Sequence, residues 1–78
     1  MSTETTTRVL ELAGTHFGRA VDSLGADDDL FEALGIDSVQ ALELLSALER
    51  VFKIELPDYE LAEIRSFAEL AAKIEERI

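Results

Sequence analysis

Residues 38–52 read SVQALELLSALERVF, and this segment predicts the central helix of an all-helical protein. Its apolar side chains recur at helical spacing and show no strand-like alternation. They are Val39, Ala41, Leu42, Leu44, Leu45, Ala47, Leu48, Val51 and Phe52. A helix that is apolar on most sides is buried by several neighbours. We therefore expect a buried helix from Ser38 to Phe52, with Val39 and Leu42 meeting partners where its N-terminal part emerges.

The residues around the start of this helix form a helix-start signal. Asp37 can serve as the N-cap and Gln40 can bond back to its backbone, which makes a capping box. A helix start alone accounts for both residues, but it does not explain a serine at the first helical position behind a long, glycine-bearing loop. Ser38 presents a hydroxyl at the positive end of a helix, where free N–H groups stabilise an attached phosphate. The pattern leaves two interpretations open, a plain helix start and a serine that receives a phosphate ester.

A first helix is expected upstream, at about residues 4–17. Its stripe consists of Val9, Leu12, Ala13 and His16, widened by Leu10 and Phe17. Gly18 follows as a helix stop. The connection over residues 18–36 is long for a compact domain, and such loops are usually functional or carry a turn of their own. We expect Asp29 and Glu32 to open a short turn as a capping box and Gly35 to close it.

The same connection is acidic, but apolar residues interrupt it. Its acids are Asp22, Asp27, Asp28, Asp29 and Glu32, and its apolar residues are Leu24, Leu30, Phe31, Leu34 and Ile36. We expect the apolar residues to anchor the loop to the core. The Asp27–Asp29 run lacks the ligand spacing and glycine of an EF-hand loop, so we expect no specific calcium site there.

Two further start signals lie in the C-terminal part of the chain. Pro57 ends the segment Lys53–Leu56, and Asp58 is expected to cap a short helix over Tyr59–Ile64. Ser66 and Glu69 form a second capping box. The stripe of the final helix is Phe67, Leu70, Ala71, Ile74 and Ile78. The sequence thus predicts a single all-α domain over residues 1–78, a small four-helix bundle of three longer helices and one short one, with a long loop after the first helix.

Charge and composition exclude several classes of function. The 78 residues include 17 acids and 7 bases, with a net charge of −10. Phosphate contacts need Lys and Arg, so we expect no nucleic-acid partner, and anionic membranes would repel the chain. No apolar stretch is long enough for a membrane span, and Met1–Thr7 has no signal-peptide core, so a cytoplasmic location is expected. A basic partner surface would attract the chain.

Catalytic and metal chemistry have few candidate residues. The chain has no cysteine and one histidine, which rules out thiolate sites and a multi-histidine zinc site. A small hydrolase would need Ser38, beside Asp37, to work with His16. An exposed helix start on a thin bundle offers neither an oxyanion hole nor an enclosed site. We expect His16 to be structural or solvated, near a helix end where a cation favours the dipole.

Four stretches resemble acyl carrier proteins. Leu34–Val39 (LGIDSV) resembles their Asp-Ser-Leu motif, and Val39–Glu49 resembles their second helix. Phe52–Pro57 is similar to the segment after that helix, and Phe67–Ala71 to the start of their last helix. The resemblance covers nearly the whole chain, and length, acidity and helix order agree with it.

The resemblance implies a carrier that has no catalytic activity of its own. Ser38 would hold 4′-phosphopantetheine, which a separate phosphopantetheinyl transferase installs from coenzyme A with magnesium. Acyl groups would then ride on the thiol of that arm as thioesters. The implied partners are acyl-loading and acyl-processing enzymes with basic patches, which dock on a monomer. The implied docking residues are Asp37, Val39, Gln40, Leu42, Glu43 and Glu49.

The chain departs from the family pattern on this docking helix. Val39 replaces the commonest leucine, and Gln40, Arg50 and Val51 stand where carriers of fatty acid synthesis often have acids. The resemblance implies fatty acid, polyketide or related acyl biosynthesis, and these departures favour a dedicated carrier of polyketide or another specialised acyl pathway. Three alternatives stay open: a peptidyl or aminoacyl carrier with the same arm, a helical interaction module without a prosthetic group, and the small hydrolase.

Overall fold

The computed structural model describes residues 3–78, apart from the side chains of Thr3 and Glu60. Met1 and Ser2 lie outside the described residues, although the prediction included them in the domain and in its polar N-terminal segment. In chain order, the elements are α1 (Thr3–Phe17), a first 3₁₀ helix (Val21–Ser23), α2 (Leu30–Leu34), α3 (Ser38–Phe52), a second 3₁₀ helix (Asp58–Glu63) and α4 (Phe67–Glu75). The described residues form no strand, so the all-α class is confirmed. The expected bundle is also confirmed, with α1, α3 and α4 as its longer helices.

Helix α3 has the predicted bounds and the predicted start. Its inner face buries Ala41, Leu44, Leu45 and Leu48. Val39 and Leu42 are exposed at 67% and 36%, as expected where the N-terminal part of the helix emerges. Val51 is 40% exposed as well, so the expected cover on most sides is wrong for the C-terminal part. The helix therefore packs through one face and leaves an apolar outer surface near Ser38.

Helices α1 and α4 complete the core through narrower faces than the sequence indicates. On α1, Val9 and Ala13 are fully buried, but His16 is exposed and lies edge-on to the Phe17 ring, 4.7 Å between centroids. His16 therefore does not belong to the buried stripe. On α4, the Ser66–Glu69 capping box is present as predicted and the helix ends at Glu75. Ile78 lies beyond that end and is 64% exposed, so its place in the stripe was wrong.

The long connection is pinned to the core, as expected. Leu24, Leu30 and Leu34 are buried, and the Asp29 carboxylate accepts the Phe31 and Glu32 amides at the start of α2. Among the described residues, no bond from Glu32 back to Asp29 completes the predicted box. Two backbone bonds tie the connection to the region before α4: Leu30 N–H to Arg65 C=O at 2.8 Å and Ala68 N–H to Ala26 C=O at 2.9 Å.

The short helix after Pro57 differs from its prediction in type and in cap. It is a 3₁₀ helix that begins at Asp58, with Pro57 in the N-cap position and no side-chain capping bond. Asp58 therefore does not cap it. Its end is held by Ile64, which is 2% exposed, and by the Ile64 N–H bond to Leu61 C=O at 3.2 Å.

Candidate functional site around Ser38

Three contacts fix the segment that leads into Ser38. Gly35 closes α2 in the left-handed region, at φ 65°, and its amide donates to the Phe31 carbonyl. The Ile36 amide donates to the same carbonyl at 3.1 Å. Arg19 Nη2 donates to the Leu34 carbonyl at 3.0 Å, which satisfies an acceptor at the C-terminus of α2. The start of α3 is therefore held in place by backbone and side-chain bonds on its N-terminal side.

The predicted capping box leaves the Ser38 hydroxyl free. Asp37 Oδ1 accepts the Gln40 amide at 2.9 Å, and Gln40 Oε1 accepts the Asp37 amide at 3.2 Å. The next two amides, of Ser38 and Val39, are first-turn donors that have no partner within the helix. Ser38 is exposed, and its hydroxyl makes no hydrogen bond with a described residue. The capping box is therefore confirmed as the start of the helix, and attachment of a phosphate ester to the free Ser38 hydroxyl stays a prediction.

An open groove of ≈ 450 Å³ lies beside Ser38. Its lining comes from α2, α3, the second 3₁₀ helix and the residues after it. The lining residues are Phe31, Ser38, Leu42, Asp58, Leu61, Ala62, Ile64 and Arg65. Most of these side chains are apolar, and the two charged ones, Asp58 and Arg65, follow Pro57 in sequence. A flexible chain attached to Ser38 would find an apolar surface within reach along this groove.

The predicted docking residues differ in exposure and in hydrogen bonding. Val39, Leu42 and Glu43 are exposed near the start of the helix, and Asp37 and Gln40 are exposed but engaged with each other. Glu49 is half-buried, and its Oε2 accepts the Leu56 amide at 3.1 Å. Its carboxylate therefore fixes the turn after α3 as well as contributing charge.

The residues of the hydrolase alternative are not brought together. His16 does not line the groove beside Ser38, and its ring packs against Phe17. Within residues 3–78, no three His, Asp or Glu side chains are arranged to hold a metal ion. No helix in this part of the chain is both long and apolar enough to cross a bilayer.

Sequence reasoning missed the far wall of the groove. Asp58, Leu61, Ala62 and Arg65 lie 20 or more positions after Ser38, and no local motif links them to it. Phe31 was expected only as a loop anchor. The one available signal was Pro57, which turns the chain after α3 and lets the following residues return towards the start of that helix.

The geometry suits a serine that carries a phosphate ester with a long tether. The hydroxyl is exposed, the adjacent amides can donate to phosphate oxygens, and the groove gives the tether an apolar wall. The residues present therefore fit the group that the resemblance implies.

Comparison with known proteins agrees with this geometry. The family model for the phosphopantetheine attachment site matches residues 7–74. The acyl carrier protein of Akkermansia muciniphila is 37% identical over 68 residues, 87% of this chain and 85% of that protein. The anthracycline acyl carrier protein DauA of a Streptomyces species is 40% identical over 57 residues, 73% of this chain and 68% of DauA. The acyl carrier protein of Streptomyces coelicolor is 33% identical over 67 residues, 86% and 73% of the two chains. Because the match spans most of this chain and of its relatives, the chain belongs to the acyl carrier protein family, whose domain is the attachment site of 4′-phosphopantetheine.

Proposed function

We propose that Ser38 is the attachment residue and that the chain carries acyl intermediates as thioesters on its arm. The observation that carries this proposal is the free, exposed Ser38 hydroxyl at the first position of α3, at the edge of an apolar groove. The other serines of the described chain are less suitable. Ser23 Oγ donates to the Ala20 carbonyl at 2.7 Å, Ser66 Oγ accepts the Glu69 amide at 3.2 Å, and Ser46 lies in the middle of α3.

Loading changes a single bond on this protein. Ser38 Oγ forms a phosphodiester with the pantetheine phosphate of coenzyme A, adenosine bisphosphate leaves, and the serine proton passes to a base of the transferase. The arm supplies a terminal thiol, which this chain lacks because it has no cysteine. The chain's own residues hold the helix start rigid and present the hydroxyl to the transferase. Its role is that of a carrier, and the chemistry on the cargo belongs to its partners.

The composition of α3 supports a specialised acyl pathway such as polyketide synthesis. Gln40, Arg50 and Val51 reduce the acidity of the helix that the family uses for docking, and the acids concentrate in the preceding loop instead. The relative DauA is named as an anthracycline acyl carrier protein. A cytoplasmic monomer that meets its enzymes one at a time fits these features. An aminoacyl cargo would differ only in the group found on the thiol, so a mass spectrum separates the two.

The proposed docking surface is the exposed apolar and acidic start of α3. Val39 and Leu42 supply apolar contact, and Glu43 supplies charge beside the attachment serine. A small charged surface favours rapid, short-lived encounters, because electrostatics raises the association rate more than the affinity. Tethering also raises the effective concentration of cargo at the engaged enzyme.

Substitution of Ser38 by alanine tests the attachment site. We expect wild type to gain the mass of one phosphopantetheine when it is incubated with a broad-specificity transferase, magnesium and coenzyme A. Ser38→Ala should gain nothing and hold no thioester. Its stability should stay within about 0.5 kcal/mol of wild type, because Asp37 still caps the helix. Intact-mass spectrometry and thermal melts measure both effects.

Ser23→Ala is the matched control, since it removes a serine hydroxyl from the loop and should load as wild type does. Modification that persists in Ser38→Ala would move the site. Folded wild type that no transferase modifies would contradict the carrier function and favour an interaction module.

Charge reversal at Glu43 tests the docking surface. Glu43→Lys should slow association with a basic partner enzyme and flatten its dependence on salt, because a rim charge acts mainly on the association rate. The control is Glu11→Lys, which makes the same change on the exposed side of α1. Stopped-flow binding to the transferase measures both. Equal rates for the two variants would move the interface away from α3, most naturally to the acidic loop.

A further inference from the structure

The groove beside Ser38 contains a cation whose role the carrier function does not explain. Arg65 lines the same groove as Ser38, and its side chain is exposed. Both groups of its backbone are fixed: its amide donates to Glu69 Oε1 at 2.8 Å, and its carbonyl accepts the Leu30 amide at 2.8 Å. Two hydrogen bonds therefore fix the backbone of Arg65, whereas no bond fixes its guanidinium group.

Three other cations of the described chain are already engaged, and Arg50 and Lys53 do not line the groove. Arg8 lies over the Phe52 ring at 4.6 Å, Arg19 donates to the Leu34 carbonyl, and Arg77 donates to the Lys73 carbonyl at 2.9 Å. The Arg65 guanidinium makes no hydrogen bond or ion pair with a described residue, including Asp58 in the same groove. Its electrostatic effect on Glu69 is the weakest of the causes that lower the pKa of that carboxyl. Arg65 is therefore available for an anion that enters the groove.

A phosphodiester on Ser38 would place such an anion in the groove. The new negative charge would stand next to the Asp37 carboxylate, in a chain that already carries a net charge of −10. A nearby guanidinium offsets that repulsion, and its planar fork matches two phosphate oxygens. The cargo is a weaker candidate for the same contact, because the length of the arm separates it from Ser38, whereas the phosphate is bonded directly to Ser38 Oγ.

We infer that Arg65 binds the phosphate of the arm on Ser38 and holds the start of the arm against the groove. This inference rests on the proposed attachment at Ser38. It assigns the far wall of the groove a function separate from docking, since Arg65 would act on the arm itself. Arg65 is a positioning residue and takes no part in chemistry on the cargo.

The test compares three variants after complete loading, verified by intact mass. Arg65→Gln removes the charge from the groove, Arg65→Lys keeps the charge but not the fork, and Arg50→Gln removes an exposed charge from α3 outside the groove. Two quantities are measured in each: the ³¹P chemical shift of the phosphodiester, and the change in Tm between the unloaded and loaded forms at low salt. Loading itself is not a readout, so slow modification of a variant does not affect the result.

Arg65→Gln should move the ³¹P resonance relative to wild type. It should also make the loading-induced change in Tm roughly 1–8 °C less favourable than in wild type, the range expected for an exposed ion pair in a domain of this size. Arg65→Lys should recover part of the Tm effect, and Arg50→Gln should match wild type in both measurements. If Arg65→Gln equals Arg50→Gln in either measurement, the inference is overturned while the attachment at Ser38 stands. If wild type is not loaded at all, the proposed function itself fails.

Discussion

Asp37 and Gln40 share the polar contacts at the start of α3, and this sharing leaves Ser38 free. Each side chain accepts the other residue's amide, so the helix start needs nothing from the serine between them. A serine that also capped the helix would lose that bond on modification. The proposed attachment residue is therefore different from the residues that hold the helix.

Leu45 has the opposite role, because it is 3% exposed in the centre of α3. Leu45→Ala should cost about 2–5 kcal/mol through lost apolar contact and the cavity left behind. Out of a total stability of about 5–15 kcal/mol, such a loss lowers Tm by many degrees or unfolds the domain. Leu42→Ala makes the same change on the exposed side of the helix and should cost about 1 kcal/mol or less. Urea and thermal unfolding of the pair measure the difference, and equal losses would mean that the two faces of α3 are assigned wrongly.

Individual residues differ in how well the sequence predicts them. Asp37, Gln40 and Gly35 were predictable because a cap depends on neighbours within a few positions. Glu49 and Arg65 were not, because the bond of Glu49 to the Leu56 amide and the place of Arg65 in the groove depend on how distant segments fold back. The exposure of Val51 and Ile78 was also predicted wrongly. Both side chains are apolar but exposed, because residue type alone does not determine which side of a helix is covered.

Among the elements, α4 begins with the most fully bonded cap of the structure's described part. Glu69 Oε1 accepts the amides of Arg65 and Ser66 at 2.8 and 3.0 Å, and Ser66 Oγ accepts the Glu69 amide. These bonds are stronger to the ionised carboxylate than to a neutral carboxyl group. The backbone bonds from Arg65 and Ser66 lower the pKa of Glu69 below its usual value.

Stability should therefore depend on the ionisation of Glu69. A lowered folded-state pKa means that the contribution is present above the unfolded-state value, about 4.3, and is lost as pH falls through the lower folded value. Glu69→Gln should lower Tm at neutral pH, and the difference from wild type should shrink as the solution is acidified through this range. Glu63→Gln, an exposed glutamate outside the cap, is the control. A difference that stays constant down to the acid limb would show that the carboxylate charge is not involved.

The elements with a strong start signal were predicted best. The bounds of α3 and the caps of α3 and α4 follow from local patterns. The second 3₁₀ helix was expected to begin one residue later with an Asp58 cap, but Pro57 occupies the cap position and no side chain caps the helix. Tight 3₁₀ turns lack the long apolar periodicity that makes an α-helix recognisable in sequence. The groove has no local signal beyond Pro57, because three separate segments of the chain build it.

At the scale of the whole molecule, like charge opposes compaction. The net charge is −10 on a body of 27 × 26 × 20 Å. Asp22, Asp27, Asp28 and Glu32 are all exposed on the connection between α1 and α3. Self-repulsion of this kind lowers stability and is weakened by salt.

Moderate salt, about 0.15–0.5 M, should therefore raise Tm, because the Debye length falls from about 30 Å at 0.01 M to about 8 Å or less and screens the repulsion among the loop acids. Asp27→Asn should raise Tm and reduce the response to salt, since it removes charge without removing a described bond. Asp29→Ala removes a charge from the same run but also the cap of α2, and should cost about 0.5–2 kcal/mol. Melts across a salt series compare the three proteins. A Tm that does not change with salt would mean that the loop charges are too well solvated to affect stability.

The two backbone bonds between the connection and the start of α4 also bear on how this carrier can change over evolution or by design. They join main-chain groups of Ala26, Leu30, Arg65 and Ala68, so they are indifferent to which exposed side chain occupies position 65. A mutation there alters the chemistry of the groove beside Ser38 without loosening the scaffold that displays it. A single substitution at position 65 can therefore change the surface that an arm on Ser38 would contact, while the fold stays the same.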